Sequence, residues 1–383
     1  MASGVEHVEA ESMSPESAKS TFSPDWLPLA LDGLPHEDAA KAWQTVLKHF
    51  PEIPGWPQLP RRSALENMYA QFSERFPGII VRDGNVHVEL QRNLDRELER
   101  LYLAYLEDDI SHGRMGEAYA AGLSLLRQGE VSFRRQPLAL KGEITGPVSW
   151  GLTVVDQHQR PILYDEMLAD AVSKHLLLKA TWQERELRRH ASQTILLLNE
   201  PYMASFGSAF VALRRNQVIG LIEEVLSGLE GLKGVHCCGN TDWSILLETS
   251  IDILSLDAYD YGDSLLRYAD ELDDFLDRGG VVAWGMVPAS VVAESESVES
   301  LVGRLQRTID RLIKEGVSRE RLLGSGLVTP SCGLGTLGVP LAEHILDLTV
   351  SVANEMRERH NTANSPDTDD AAASDTKDLE QTS

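Results

Sequence analysis

His236, Cys238 and Cys332 are the residues whose types and spacing point most directly to chemistry. They stand in VHCCGN and TPSCGL, each at the end of a short apolar run. An imidazole and two thiolates delivered from strand ends into one space can hold a zinc ion. A zinc held by three or four protein groups can accept an incoming thiol as a further ligand and keep it as the nucleophilic thiolate. Alternate positions on a strand face the same side, so His236 and Cys238 can share a metal while Cys237 turns away. Cys332 follows far along the chain, unlike the close ligand pairs of zinc fingers. The same residues also fit a blander arrangement: two buried cysteines acting as small hydrophobes, with His236 bonded to a backbone carbonyl. Asp257 closes the apolar run DILSL. It can ligate the metal, orient His236 from behind, or cap the helix that follows.

Eight short runs, each ending in Gly, Pro, Asn or Asp or close to one, can position these groups. They span 27–33, 52–58, 138–146, 194–201, 234–240, 252–259, 281–288 and 322–330. Amphipathic stretches lie between most of them, clearest at 165–191, 209–229 and 297–316. Strands separated by helices make parallel βαβ units. Eight units predict an α/β protein with a single (β/α)8 TIM barrel, a one-domain core over 24–360. The run at 52–58 is the weakest strand because it holds Pro54 and Pro57. The segment 78–90 reads as a hairpin around Asp83-Gly84, inserted after an early strand. The chemically unusual residues cluster at one pole, the C-terminal strand ends where barrel enzymes place their sites.

The chain has 383 residues and a formal charge of −24. Such a surface repels nucleic acid and anionic membrane, so neither is expected as a partner. Residues 1–23 and 361–383 are rich in Ser, Ala, Thr and acidic residues without apolar period, and read as disordered tails, the second acidic. Three cysteines in a chain this long do not make a disulfide framework. The first residues lack a secretory pattern, and no apolar stretch is long enough for a membrane span, which implies a cytoplasmic protein.

VHCCGNTDW, DILSLD and TPSCGL, in this order, resemble one barrel superfamily. It contains the catalytic domain of cobalamin-independent methionine synthase, the corrinoid-dependent thiol methyltransferases and uroporphyrinogen decarboxylase. KGEITGPVSWG (141–151) and LLNEPYMASFG (197–207) are similar to motifs of the methionine-synthase branch, in its short single-barrel form. The resemblance implies a zinc site at His236, Cys238, Asp257 and Cys332, and a methyltransferase acting on a small-molecule thiol, homocysteine in methionine biosynthesis. It places Gly33, His36, Asn199 and Glu200 at the substrate. Three departures stand out. Asp257 replaces the usual glutamate. Asn199 replaces the acidic residue that receives the amino group of homocysteine. Gly33 replaces a substrate-contacting serine, with Asp32 beside it as a substitute charge. Trp150 and Trp243 read as core rather than as walls of the site.

The single-barrel relatives imply methylcobalamin or a corrinoid protein as methyl donor, and the −24 charge disfavours an anionic folate. Arg61-Arg62 and Arg134-Arg135 are the pairs that could offset that charge locally. Two alternatives remain open. One is methyl transfer from a corrinoid protein to another thiol such as coenzyme M. The other is a non-catalytic corrinoid- or metal-binding barrel.

Overall fold

The computed structural model describes residues 22–31, 33–90, 94–208 and 211–363. Asp32 and nearly all of both expected tails lie outside these residues. Nine strands run along the described chain: β1 (Ile79–Arg82), β2 (Asn85–Val88), β3 (Leu140–Thr145), β4 (Val155–Asp156), β5 (Thr194–Asn199), β6 (Leu232–Cys237), β7 (Ile253–Leu256), β8 (Val281–Val287) and β9 (Gly326–Pro330).

Six of them form one parallel sheet in the order β3-β5-β6-β7-β8-β9. Two further staves close it. Pro28 bridges Val328 of β9, Gly55 bridges Lys141 of β3, and Gly33 bridges Gln58 to join the two staves to each other. The sheet is therefore a (β/α)8 barrel, and its eight staves fall within or beside the eight apolar runs. Proline explains why the first two staves are not regular strands. Pro28, Pro54 and Pro57 have no N–H to give to a ladder. Between the prolines, Trp56 N donates to Lys141 O (3.2 Å) and Lys141 N donates to Pro54 O (3.0 Å).

The alternation along each stave separates two cores. Leu27, Leu29, Leu31, Ile53, Ala139, Ile195, Leu197, Leu232, Ile253, Val281, Ala283 and Leu327 form one apolar cluster with a member from every stave. Neighbouring positions such as Leu140, Leu196, Val235, Cys237 and Leu254 join the larger cluster beneath the helices. The first set is the barrel interior. Continuing its parity towards the C-terminal strand ends brings Glu143, Asn199, His236, Ser255 and Thr329 onto the inner face.

The long helix Glu166–Leu187 starts where the Asp165 side chain accepts from Met167 N and Leu168 N. Its outer side is covered by the segment that follows the second stave. His175 Nε2 meets Phe72 O (2.7 Å), and Lys179 Nζ meets Arg114 O (3.3 Å). Within that segment β1 and β2 form the expected hairpin, with Asp83 at φ 49° and Gly84 at φ 78°, the left-handed pair of a tight primed turn. The short strand β4, which pairs in parallel with β2, is an addition that periodicity did not indicate.

Candidate metal centre

His236 and Asn199 are paired in register on β6 and β5, and His236 is likewise opposite Ser255 on β7. The ring Nδ1 of His236 lies 2.9 Å from Ser255 Oγ. With Nδ1 carrying the proton and donating to that hydroxyl, Nε2 keeps its lone pair. His236 is buried, and Nε2 has no hydrogen-bond partner among the described residues. A backbone carbonyl does not satisfy this histidine, so the bland arrangement fails at that atom.

Two sulfurs lie beside this ring. The ligand atoms of His236, Cys238 and Cys332 all lie within 4.8 Å of one another. Tetrahedral bonds of about 2.3 Å to sulfur would set such donors roughly 3.8 Å apart, so modest closure would complete the geometry. The donor set therefore fits zinc. The Cys332 thiol lies against Cys238, an interaction that lowers the pKa of Cys238 and raises that of Cys332. Cys237 behaves as parity requires: it is fully buried among apolar neighbours, its Sγ lies 3.4 Å from Gly239 O, and burial pushes its thiol up to about 12.

Asp257 is not part of that cluster. Its carboxylate accepts from Asp260 N (3.0 Å) and caps the short helix Ala258–Tyr261. Of the three roles open to it in the sequence, capping is the one seen. Burial pushes its carboxyl up to about 6.

Glu200 is wholly buried, and its carboxylate is occupied by the start of the helix Pro147–Thr153. It accepts from Val148 N (2.9 Å), Ser149 N (2.7 Å) and Ser149 Oγ (2.6 Å). An anion at a helix N-terminus is stabilised by the exposed amides. Even so, burial pushes the carboxyl up to about 7. Gly146 is required here, because a Cβ at that position would sit 2.2 Å from the Glu200 carboxylate. Glu200 thus ties two strand ends together.

Asn199 Nδ2 donates to Glu143 Oε2 (2.7 Å), and its Oδ1 has no partner among the described residues. Glu143, which the sequence reading passed over, is ion-paired with the fully buried Lys141. The signal was there: two opposite charges two positions apart inside an otherwise apolar strand face inward together.

Gly33 lies at the mouth, with its carbonyl accepting from Leu334 N (2.7 Å) two residues beyond Cys332. His36 is 3.3 Å from Thr45 Oγ1 and lines a surface groove of about 830 Å³ with Lys41, Arg61 and Glu343. None of the metal-ligand candidates lines that groove. Trp150 and Trp243 are core residues, with indole N–H groups bonded to Tyr69 O and Ser264 Oγ. Arg62 and Arg135 are engaged by Glu66 and Glu52.

No helix among the described residues is long and apolar enough to cross a membrane. No protein-family model and no curated protein matches the chain. Solved structures do. A B12-independent methionine synthase from Shewanella sp. W3-18-1, in complex with selenomethionine, is 19% identical, with 63% of this chain and 67% of that chain covered and a TM-score of 0.44. A putative vitamin-B12-independent methionine synthase from Listeria monocytogenes is 13% identical over 84% of this chain and 87% of that chain, with a TM-score of 0.49. Both are described as B12-independent, unlike the corrinoid donor expected from the sequence.

Proposed function

We propose that the chain is a zinc-dependent methyltransferase that methylates a thiol, with homocysteine as substrate. The observation that carries this reading is the convergence of His236, Cys238 and Cys332 from two distant strand ends, with the His236 Nε2 lone pair left over. The motifs around these residues support the same reading, through their resemblance to the methionine-synthase branch.

Bound zinc would supply Lewis acidity, which keeps a thiol ionised at neutral pH, where a free thiol of pKa about 8.5 is ionised to only a few per cent. The chain's own residues do the rest. Ser255 holds the His236 ring through Nδ1, which leaves Nε2 for the metal. Three protein donors leave a fourth position for substrate sulfur. Asn199, beside His236 on the adjoining strand, presents a carbonyl oxygen at the same level. Glu200 holds the start of the helix Pro147–Thr153 against the end of β5, fixing the rim around them.

Metal analysis and a methionine-formation assay with methylated folates test the proposal. Dialysis against a chelator abolishes turnover, and zinc restores it. A donor-independent readout is cobalt(II) substitution, in which homocysteine strengthens the thiolate-to-cobalt absorption. Full turnover by metal-free protein would refute the scheme.

A further inference from the structure

Three buried side-chain atoms on the inner face lack hydrogen-bond partners among the described residues: Asn199 Oδ1, His236 Nε2 and Thr329 Oγ1. Buried polar atoms are rarely left unpaired, so each asks for a ligand. His236 Nε2 is accounted for by the metal. Asn199 Oδ1 is not.

The orientation of that amide is imposed. Glu143 is a carboxylate ion-paired with Lys141, and a carboxylate so paired only accepts hydrogen bonds. Asn199 must therefore turn its NH2 to Glu143, as it does at 2.7 Å, which leaves its carbonyl oxygen outstanding. Gln58 Nε2 and Gln183 Nε2 both donate to the Glu143 main-chain oxygen, at 3.2 and 3.1 Å, which stiffens the strand at this point. Trp56 Nε1 in turn holds Gln183 Oε1 at 2.7 Å. The result is an acceptor pointing away from the carboxylate end of a buried ion pair, one strand from the proposed thiol position.

Resting on the thiol-methylating reading, we infer that Glu143 is a positioning residue: held by Lys141, it sets the Asn199 amide so that the site selects a thiol bearing a hydrogen-bond-donating, positively charged nitrogen. Asn199 alone is a neutral acceptor. The Lys141–Glu143 pair is neutral as a whole, but its carboxylate end, bonded to the Asn199 NH2, polarises the amide and makes its oxygen a stronger acceptor for an ammonium. Adjacent strands lie about 4.8 Å apart, a gap that the three carbons between sulfur and nitrogen in an aminothiol can bridge.

The test compares homocysteine with 4-mercaptobutanoate, which differs only in lacking the amine, by titration of the cobalt(II)-loaded protein. The wild type binds homocysteine about tenfold or more tightly, the range for a hydrogen bond to a charged group. Glu143→Gln loses that preference, while metal content and 4-mercaptobutanoate affinity stay unchanged. Lys141→Met/Glu143→Gln removes both buried charges together and gives the same loss if the single variant misfolds. Asn199→Asp in the Glu143→Gln background returns the charge to the neighbouring position and restores the preference, which a purely structural role would not. Equal binding of the two thiols by wild type, or a preference retained in folded Glu143→Gln, overturns this inference and leaves the thiol-methylating reading standing. Binding of neither thiol overturns both.

Discussion

Ser255 Oγ stands 2.9 Å from His236 Nδ1, in register across β6 and β7, so the strand pairing itself sets the angle of the imidazole. Groups that hold a metal-binding histidine from behind are worth roughly 10–100-fold in metal affinity. Ser255→Ala is expected to bind zinc about tenfold more weakly with unchanged thermal stability of the metal-free protein. Competition against a chromogenic chelator measures the first and calorimetry the second. Unchanged zinc affinity would show that the ring is held by other means.

The three cysteines should separate cleanly. Cys238→Ala and Cys332→Ala each lose stoichiometric zinc, because each removes one of three clustered donors. Cys237→Ala keeps one zinc per chain and loses only about 1 kcal/mol of stability, the order expected for one small buried group. Metal content by mass spectrometry, with denaturant titration, distinguishes the cases. Loss of zinc from Cys237→Ala would contradict the inward-outward alternation of β6.

Asp257→Asn tests the capping role. Asparagine caps helices about as well as aspartate. The variant should therefore retain one zinc and full stability. If its zinc content collapses while Cys237→Ala keeps its own, the carboxylate is a ligand after all.

Lys179 gives a pH prediction far from the metal. Burial pulls its amine from 10.5 down to about 7, with Glu74, Arg75, His112 and His175 facing it. Between about pH 7 and 10.5 the native state holds fewer protons at this site than the unfolded chain. Stability from this group therefore rises with pH across that window. Lys179→Met should remove the slope and gain most at pH 7 and below, by a few kcal/mol on the usual scale of ~1.4 kcal/mol per unit. Denaturant midpoints of both proteins at pH 6.5 and 9.5 give the comparison. A wild-type-minus-variant difference that stays constant with pH would refute it.

Much of the fold was legible in the residues. The apolar runs marked the staves because a strand buried on both faces must be apolar nearly throughout. Pro54 and Pro57 announced an irregular second stave. The i, i+2 rule sorted Cys237 from Cys238. Function within a pole was harder to read. Asp257 and Glu200 occupy positions that suggest substrate or metal, yet each spends its carboxylate on a helix start, and only the backbone amides reveal that. Glu143 escaped notice because its partner Asn199 lies 56 positions away. In the segment covering the helix Glu166–Leu187, only the helix Leu94–Leu106 keeps a clear period, burying Leu94, Leu98, Leu101 and Ala104; much of the rest is shaped by side-chain bonds to main-chain atoms: Asn67 to Gly84 O, Gln71 to Tyr119 O, Arg75 to Ser111 O.

The twelve apolar side chains across the waist of the barrel have a kinetic consequence. They stopper the tube, so traffic to the cysteines passes through one doorway. If the chain methylates a thiol as proposed, nucleophile and methyl carrier share it and cannot enter from opposite ends. Whichever arrives first then narrows the opening for the other.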